Sequence, residues 1–194
     1  MHPIAVAPYL GGMVSRRASL GLVALLVVGL TGCTGAPAPD PSGSPSPAAT
    51  GFASEDEAFA AAEETYRAYN QATNAVQLDD PESFQGVFDL TVGDYNAHQR
   101  ETLSQMHAAG WTVSGETRYS RFTTESFDPE TQSVVVTVCV DVSDVEVLDV
   151  AGNSVVSDER PDRQAARITM EESPTPTFLA LAHSERIEDP ECAS

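Results

Sequence analysis

The sequence predicts an α+β domain in which N-terminal helices pack on a curved four-stranded antiparallel sheet. Apolar residues recur at three- and four-residue spacing up to about residue 109, and the pattern then alternates between apolar and polar positions. Helices followed by a run of strands are typical of α+β domains. We expect this domain to span residues 53–194.

The first helix is predicted to begin after Ser54. Ser54 followed three residues later by Glu57 is a capping box. Behind it, apolar and aromatic residues share one helix face: Phe59, Ala62, Tyr66, Tyr69, Thr73 and Val76. Pro81 suits the first turn of a short second helix. A third helix is predicted over residues 93–109, with Gly110 as its C-cap.

The strongest strand signal covers residues 134–150. Val136, Val138 and Val140 face one way, and Cys139 faces the other. The apolar positions then change parity, which predicts a β-bulge near Ser143 or Asp144 and one long, bent strand. Three further strands complete the predicted sheet: residues 111–127, broken near Gly115, residues 163–171 and residues 177–187.

The N-terminus has the features of an export signal. Arg16 and Arg17 precede an apolar run over residues 20–30, which is short for a membrane span. The run ends in Leu30-Thr31-Gly32-Cys33. This segment resembles the lipobox of bacterial lipoproteins, which implies cleavage before Cys33 and lipid, with acyl chains such as palmitate, on its sulfur. The alternative is an uncleaved anchor helix with an incidental cysteine.

We therefore expect residues 1–32 to be a lipoprotein signal peptide. Residues 33–52 would be the lipidated Cys33 and a disordered linker rich in Pro, Ser and Gly, because its repeated prolines oppose regular structure. The expected location is the extracytoplasmic face of the cell membrane, within the cell envelope, with the lipid anchor as one partner.

The charge of the chain excludes one class of partner. It has 29 acidic residues against 10 basic ones, all of them Arg, for a net charge of −19. Such a chain repels the phosphate backbone of nucleic acid. We expect no nucleic-acid partner.

Cys139 and Cys192 remain once Cys33 is assigned to lipid. An even number of cysteines in an exported chain favours a disulfide. Since Cys139 lies opposite the valine row, we expect the bridge on the outer face of the sheet or at its edge. Closing so long a loop stabilises by about 4 kcal/mol in the chain-entropy description.

The order of elements resembles the cystatin-like, cone-shaped fold shared by nuclear transport factor two, ketosteroid isomerase and the SnoaL polyketide cyclases. The segment Val136-Thr137-Val138-Cys139-Val140-Asp141-Val142, followed by Gly152 and by Arg160-Pro161, is similar to a group of actinobacterial lipoproteins of that fold. The resemblance implies a curved sheet that wraps a helix and leaves a pocket at its open end.

No motif in the sequence predicts a catalytic group, a metal or a cofactor. Four residues are candidates for a pocket: His183, Tyr66, Tyr69 and Trp111. His183 could act as a general base, or it could be a partly exposed strand histidine. His98 and Glu101 stand one helical turn apart, and without a third partner they predict no metal site.

The composition and the lack of a motif favour a non-catalytic module that binds a small apolar ligand or an envelope protein. The alternative is a small enzyme of the isomerase or cyclase kind, with a polar group in the pocket of the cone.

Overall fold

The structure, a computed structural model, describes residues 51–192. The predicted signal peptide, Cys33 and the linker up to residue 50 lie outside these residues. The helices come first: α1 (Glu55–Asn74), a 3-10 helix (Pro81–Phe84) that continues into α2 (Gln85–Asp89), and α3 (Gly93–Ala108). Among the described residues, no helix has the length and apolar character needed to cross a membrane.

Six strands follow in the described residues, in two antiparallel sheets: β1 (Thr112–Ser114), β2 (Arg118–Asp128), β3 (Ser133–Asp141), β4 (Glu146–Leu148), β5 (Arg163–Glu172) and β6 (Leu179–Ile187). The larger sheet has the order β2-β3-β5-β6, and β1 pairs with β4 in a small second sheet. Helices followed by a four-stranded antiparallel sheet confirm the α+β prediction. Register shifts within β2 and between β5 and β6 bend the larger sheet.

Helix α1 begins where the capping box predicts. The hydroxyl of Ser54 accepts a hydrogen bond from the backbone N–H of Glu57 at 3.2 Å. The Glu57 carboxylate reaches back and accepts from the N–H of Ala53 at 3.0 Å, one residue before the cap. One free N–H group of this helix end and the N–H of the residue just before the cap are thereby bonded.

The core lies between α1 and the inner face of the larger sheet. Ala58, Ala62 and Tyr66 of α1 are buried, and so is the inner row of the sheet: Val134, Val136, Val138, Ile168, Met170, Leu179 and Leu181. Small alanines on α1 allow the helix to approach the valine row closely. The predicted helix stripe and the predicted valine row therefore meet in the folded chain.

The prediction of one bulged strand over residues 134–150 is wrong. Strand β3 ends at Asp141, whose carboxylate accepts from the N–H of Ser143 at 3.0 Å and from its hydroxyl at 2.7 Å. The N–H of Val145 then bonds to the carbonyl of Val142 at 3.0 Å, which closes a turn. The chain leaves the larger sheet here and enters the small one as β4. The parity change in the valines marks this exchange between sheets.

The outer face of the larger sheet holds the two remaining cysteines. Cys139 and Cys192 lie at disulfide distance, with their Cα atoms 5.5 Å apart. Both are buried, beside Ala165 and the partly buried Ile187. The C-terminal tail therefore runs back across this face, opposite the valine row.

Candidate functional site

A cavity of about 180 Å³ lies between α1, α3 and the inner face of the larger sheet. Helices contribute its tyrosines and part of its polar wall, and the sheet contributes its floor. The lining residues are Tyr66, Tyr69, Asn70, Thr73, Tyr95, Thr117, Val140, Gln164, Ala166, Ile168 and Ser184.

Helical spacing and short side chains together create this space. Tyr66, Tyr69 and Thr73 follow one another at three- and four-residue intervals, so they share the face of α1 that meets the sheet. Opposite them, Ala166 and Ser184 are too short to fill the gap between helix and sheet. The cavity is thus the place where large aromatic residues face small strand residues.

The tyrosine hydroxyls form a connected group. The hydroxyl oxygens of Tyr69 and Tyr95 are 2.9 Å apart and hydrogen-bonded. Gln99 of α3 donates from its amide nitrogen to the Tyr69 hydroxyl at 3.0 Å. The rings of Tyr66 and Tyr69 stand 6.1 Å apart, centroid to centroid. These contacts tie α1 to α3 across one side of the cavity.

The tyrosines that line the cavity on α1 are neutral at physiological pH. Burial is the main cause that raises the pKa of Tyr66 and of Tyr69 far above the ordinary value of 10.0, and the neighbouring Tyr95 raises both further. None of the residues lining this cavity carries a carboxylate, an imidazole or a cation. Its wall therefore offers hydroxyls, amides and apolar surface.

The structure brings two of the four predicted pocket residues together. Tyr66 and Tyr69 line the cavity, whereas His183 and Trp111 do not. His183 pairs in register with Thr169, on the outer face of the sheet, and is exposed. Trp111 follows the end of α3, where its backbone N–H bonds to Met106 at 3.1 Å.

Sequence reasoning missed the polar members of the cavity wall. Asn70 lies one position after Tyr69, and its side-chain amide donates to the carbonyl of Thr117 at 3.1 Å. Tyr95 belongs to an apolar stripe on α3, but nothing in that stripe indicates a bond to Tyr69. The signal that could have found them is the cluster of hydroxyl and amide groups on two helices that share one sheet face.

His183 lines a second, more open cleft of about 470 Å³. His98 and Asp94 of α3 lie along the same cleft. Within residues 51–192, no group of three or more His, Cys, Asp or Glu side chains could hold a metal ion. This cleft therefore offers exposed titratable groups and no assembled metal centre in the described part of the chain.

A third, apolar cleft of about 280 Å³ lies where α3 faces the small sheet. Leu103 and Met106 line it from α3, Val113 and Val147 line it from the small sheet, and Val145 lines it from the residue just before β4. Gly115 lies at its edge with a positive φ of 81°. A Cβ at this position would stand 1.8 Å from the carbonyl oxygen of Asp144, so only glycine allows this approach.

Comparison with known proteins adds a general likeness only. No family model matches the sequence, and no curated protein matches it. The intermembrane space region of the chloroplast protein ARC6 is 11% identical, with a TM-score of 0.49, over 66% of this chain and 95% of that one. A candidate aromatic ring hydroxylase from Novosphingobium aromaticivorans is 12% identical, with a TM-score of 0.46, over 73% of this chain and 99% of that one.

A candidate polyketide cyclase from Xanthomonas campestris pv. campestris is 10% identical, with a TM-score of 0.37, over 71% of this chain and 99% of that one. All three TM-scores fall below 0.5. The function proposed below therefore rests on this chain's own residues.

Proposed function

We propose that this chain is an exported lipoprotein whose folded domain binds one small, neutral, ring-containing molecule in the tyrosine cavity. Lipid on Cys33 anchors it to the extracytoplasmic face of the cell membrane, and the linker holds the domain off the surface. The observation that carries the binding proposal is the hydrogen-bonded pair of tyrosine hydroxyls, Tyr69 and Tyr95, in a cavity without charged walls.

The size of the cavity limits the ligand to about one ring. Drug-sized ligands occupy pockets of roughly 300–1,000 Å³, and an engineered cavity of about 150 Å³ binds benzene. At about 180 Å³, the tyrosine cavity lies close to the second value. A six-membered ring with one small substituent fits this space.

The lining chemistry selects a neutral ligand with a hydrogen-bonding group. A charged ligand would lose part of its hydration without gaining an opposite charge, which is unfavourable in a partly enclosed site. The hydroxyls of Tyr69 and Tyr95 and the side chain of Ser184 can exchange hydrogen bonds with a hydroxyl or carbonyl group. Phenol is the simplest probe with these properties.

The alternative, an isomerase- or cyclase-type activity, requires a group that moves a proton inside the cavity. The described lining supplies tyrosine hydroxyls, and the raised pKa of Tyr69 leaves it protonated. Such a hydroxyl suits donation to an oxygen and is a poor base at neutral pH. The geometry therefore favours binding over proton abstraction.

Titration of the chain without its first 33 residues tests the binding proposal, with phenol as the ligand and NMR shifts as the readout. Phenol should perturb the signals of residues around Tyr66, Tyr69 and Ala166, and toluene, which lacks the hydroxyl, should bind more weakly. Ala166→Leu should abolish binding because it fills the cavity.

The matched pair Tyr69→Phe and Tyr119→Phe separates the hydroxyl from the ring. Tyr69→Phe should weaken phenol binding by up to about tenfold, the usual worth of one hydrogen bond. Tyr119 contacts the Tyr66 ring at 4.9 Å but does not line the cavity, so Tyr119→Phe should leave binding unchanged. Phenol that perturbs no cavity residue, or that binds Ala166→Leu equally well, would refute the proposal.

A further inference from the structure

One edge of the larger sheet is free in the described part of the chain. Within residues 51–192, β2 pairs with β3 alone, so its other edge has no strand partner. The opposite edge differs, because Leu181 of β6 exchanges backbone hydrogen bonds of 2.9 Å with Leu90 and Val92. An open edge of 11 residues is a template for another strand.

The charge pattern of β2 is complementary to the pattern of the same strand running in the opposite direction. The strand reads Arg-Tyr-Ser-Arg-Phe-Thr-Thr-Glu-Ser-Phe-Asp from 118 to 128, and its central residue is Thr123. Two antiparallel copies related by a twofold axis at Thr123 place opposite charges opposite one another and, in all but one of the other pairs, like side chains. The pairs are Arg118 with Asp128, Tyr119 with Phe127, Ser120 with Ser126, Arg121 with Glu125, and Phe122 with Thr124.

The faces of β2 have the same symmetry. Tyr119, Thr124 and Phe127 pair with the inner positions of β3, and Phe122 packs against the core. The remaining residues face outward, by their register with β3 or by their contacts: Arg118, Ser120, Arg121, Thr123, Glu125, Ser126 and Asp128. Each pair across the proposed axis therefore joins two residues of the same face, which a continuous sheet requires.

The irregularities of β2 also match across this axis. The register with β3 shifts once between Ser120 and Thr123 and once between Thr124 and Ser126. The first shift contains Arg121 and the second contains Glu125, each two positions from Thr123. Bulges usually protect a sheet edge from a foreign strand. Here each bulge of one copy would lie opposite a bulge of the other copy. A strand without bulges at these positions would not fit against this edge.

The charged side chains of β2 already have partners within the chain, and a second copy would bring a further opposite charge to each of them. Arg118 pairs with Asp144 at 2.6 Å. Arg121 pairs with Asp189 and Glu191 of the tail, and Glu125 pairs with Arg167 at 3.0 Å. All of these pairs are partly exposed. A second copy would add an opposite charge beside each of them.

We propose that two copies of this chain pair through the free edge of β2, antiparallel and in register about Thr123, to form one eight-stranded sheet. The partner at this edge is a second copy, because the charges, the inward and outward faces and the bulge positions of β2 all match those of the same strand running in the opposite direction. The four ion pairs across the edge make the contact sensitive to salt.

Cross-linking of the full chain in cell membranes tests the register. Thr123→Cys should give a disulfide-linked dimer under mild oxidation, joined through the two introduced sulfurs, because the axis places this residue opposite itself. Thr131→Cys, which replaces an exposed threonine beyond the end of β2, is the matched control and should give little dimer. Equal cross-linking of the two variants, or none at Thr123→Cys, would overturn the proposal.

A charge-swap pair tests the symmetry. One full-length variant carries Arg118→Glu and Arg121→Glu, the other carries Glu125→Arg and Asp128→Arg, and both carry Thr123→Cys. Each alone places like charges opposite one another, so its dimer band should fall about tenfold. Co-expressed, the two variants restore opposite charges across the edge, and the mixed dimer should return to the original level.

Recovery on co-expression also shows that both variants are folded. Bands of equal intensity in single and mixed expression would refute the twofold register.

Discussion

Tyr69 is largely buried, and its hydroxyl has two hydrogen-bond partners, as is usual for a buried tyrosine. The Tyr95 hydroxyl and the Gln99 amide both bond to it. Its own backbone carbonyl accepts from the Thr73 hydroxyl at 2.9 Å. Because ionisation of this side chain would place a negative charge in an apolar layer, the fold favours its protonated form.

The raised pKa predicts a loss of stability at alkaline pH. Below pH 10 Tyr69 is protonated in both the folded and the unfolded chain, and its burial costs nothing extra. Above its ordinary value of 10.0, the unfolded chain releases the proton while the folded chain retains it. The free energy of unfolding should therefore fall as pH rises, by about 1.4 kcal/mol per pH unit for each such tyrosine.

Urea unfolding at pH 9 to 11 measures this slope. Tyr69→Phe should flatten this slope, because the folded chain then no longer retains a proton that the unfolded chain releases. An identical slope in Tyr69→Phe and the unmodified chain would contradict the assignment.

At the level of single residues, the sequence predicts part of the cavity lining. Tyr66 and Tyr69 are predictable because helical spacing alone decides which side of α1 they occupy. The face on which His183 lies is not predictable, because the register between β5 and β6 shifts at Thr169 and Met170. A shift of one residue moves a side chain to the other face of a strand. Nothing local to His183 shows that shift.

Among the elements, the small sheet depends on the backbone at Gly115. This residue has a positive φ, and the carbonyl of Asp144 lies where a side chain would begin. Gly152 has almost the same φ, 82°, but nothing lies within 4 Å of the position its Cβ would take. The two glycines thus share a backbone conformation that would strain any L residue, and they differ in the space beside them.

Two alanine substitutions separate these effects. Gly152→Ala should lower the free energy of unfolding by about 1 kcal/mol, the usual cost of a left-handed backbone for an L residue. Gly115→Ala should lower it by about 3 kcal/mol, because the new methyl group also forces β1 away from β4. Urea unfolding of both variants measures the difference. Equal losses of unfolding free energy would show that the contact with Asp144 adds nothing to the cost.

The elements themselves are largely predictable from the sequence, and their pairing is less so. Capping at Ser54, the break near Gly115 and the alternation of valines in β3 each follow from local chemistry. The end of β3 does not follow from local chemistry, because a bulge within one strand and an exchange between two sheets both shift the alternation of apolar residues by one position. The sheet that residues 146–148 join depends on β1, a distant partner in the sequence.

At the scale of the whole molecule, the net charge opposes the membrane attachment that we propose. With a net charge of −19 and no lysine, the chain is repelled by anionic lipid headgroups. The membrane attachment that we propose must therefore come from the lipid on Cys33. Each acyl chain adds about 0.8 kcal/mol per buried methylene, so two chains on one cysteine hold a protein stably against such repulsion.

Metabolic labelling with a fatty acid tests this attachment at Cys33. The full chain should incorporate the label, and Cys33→Ser should abolish it because the thiol that accepts the lipid is gone. Cys192→Ser is the matched control: it also removes one cysteine, and it should keep the label because Cys192 lies beside Cys139 on the sheet. Label that persists in Cys33→Ser would mean that the acidic domain is held at the membrane by another group, and the anchor would have to be sought elsewhere in the chain.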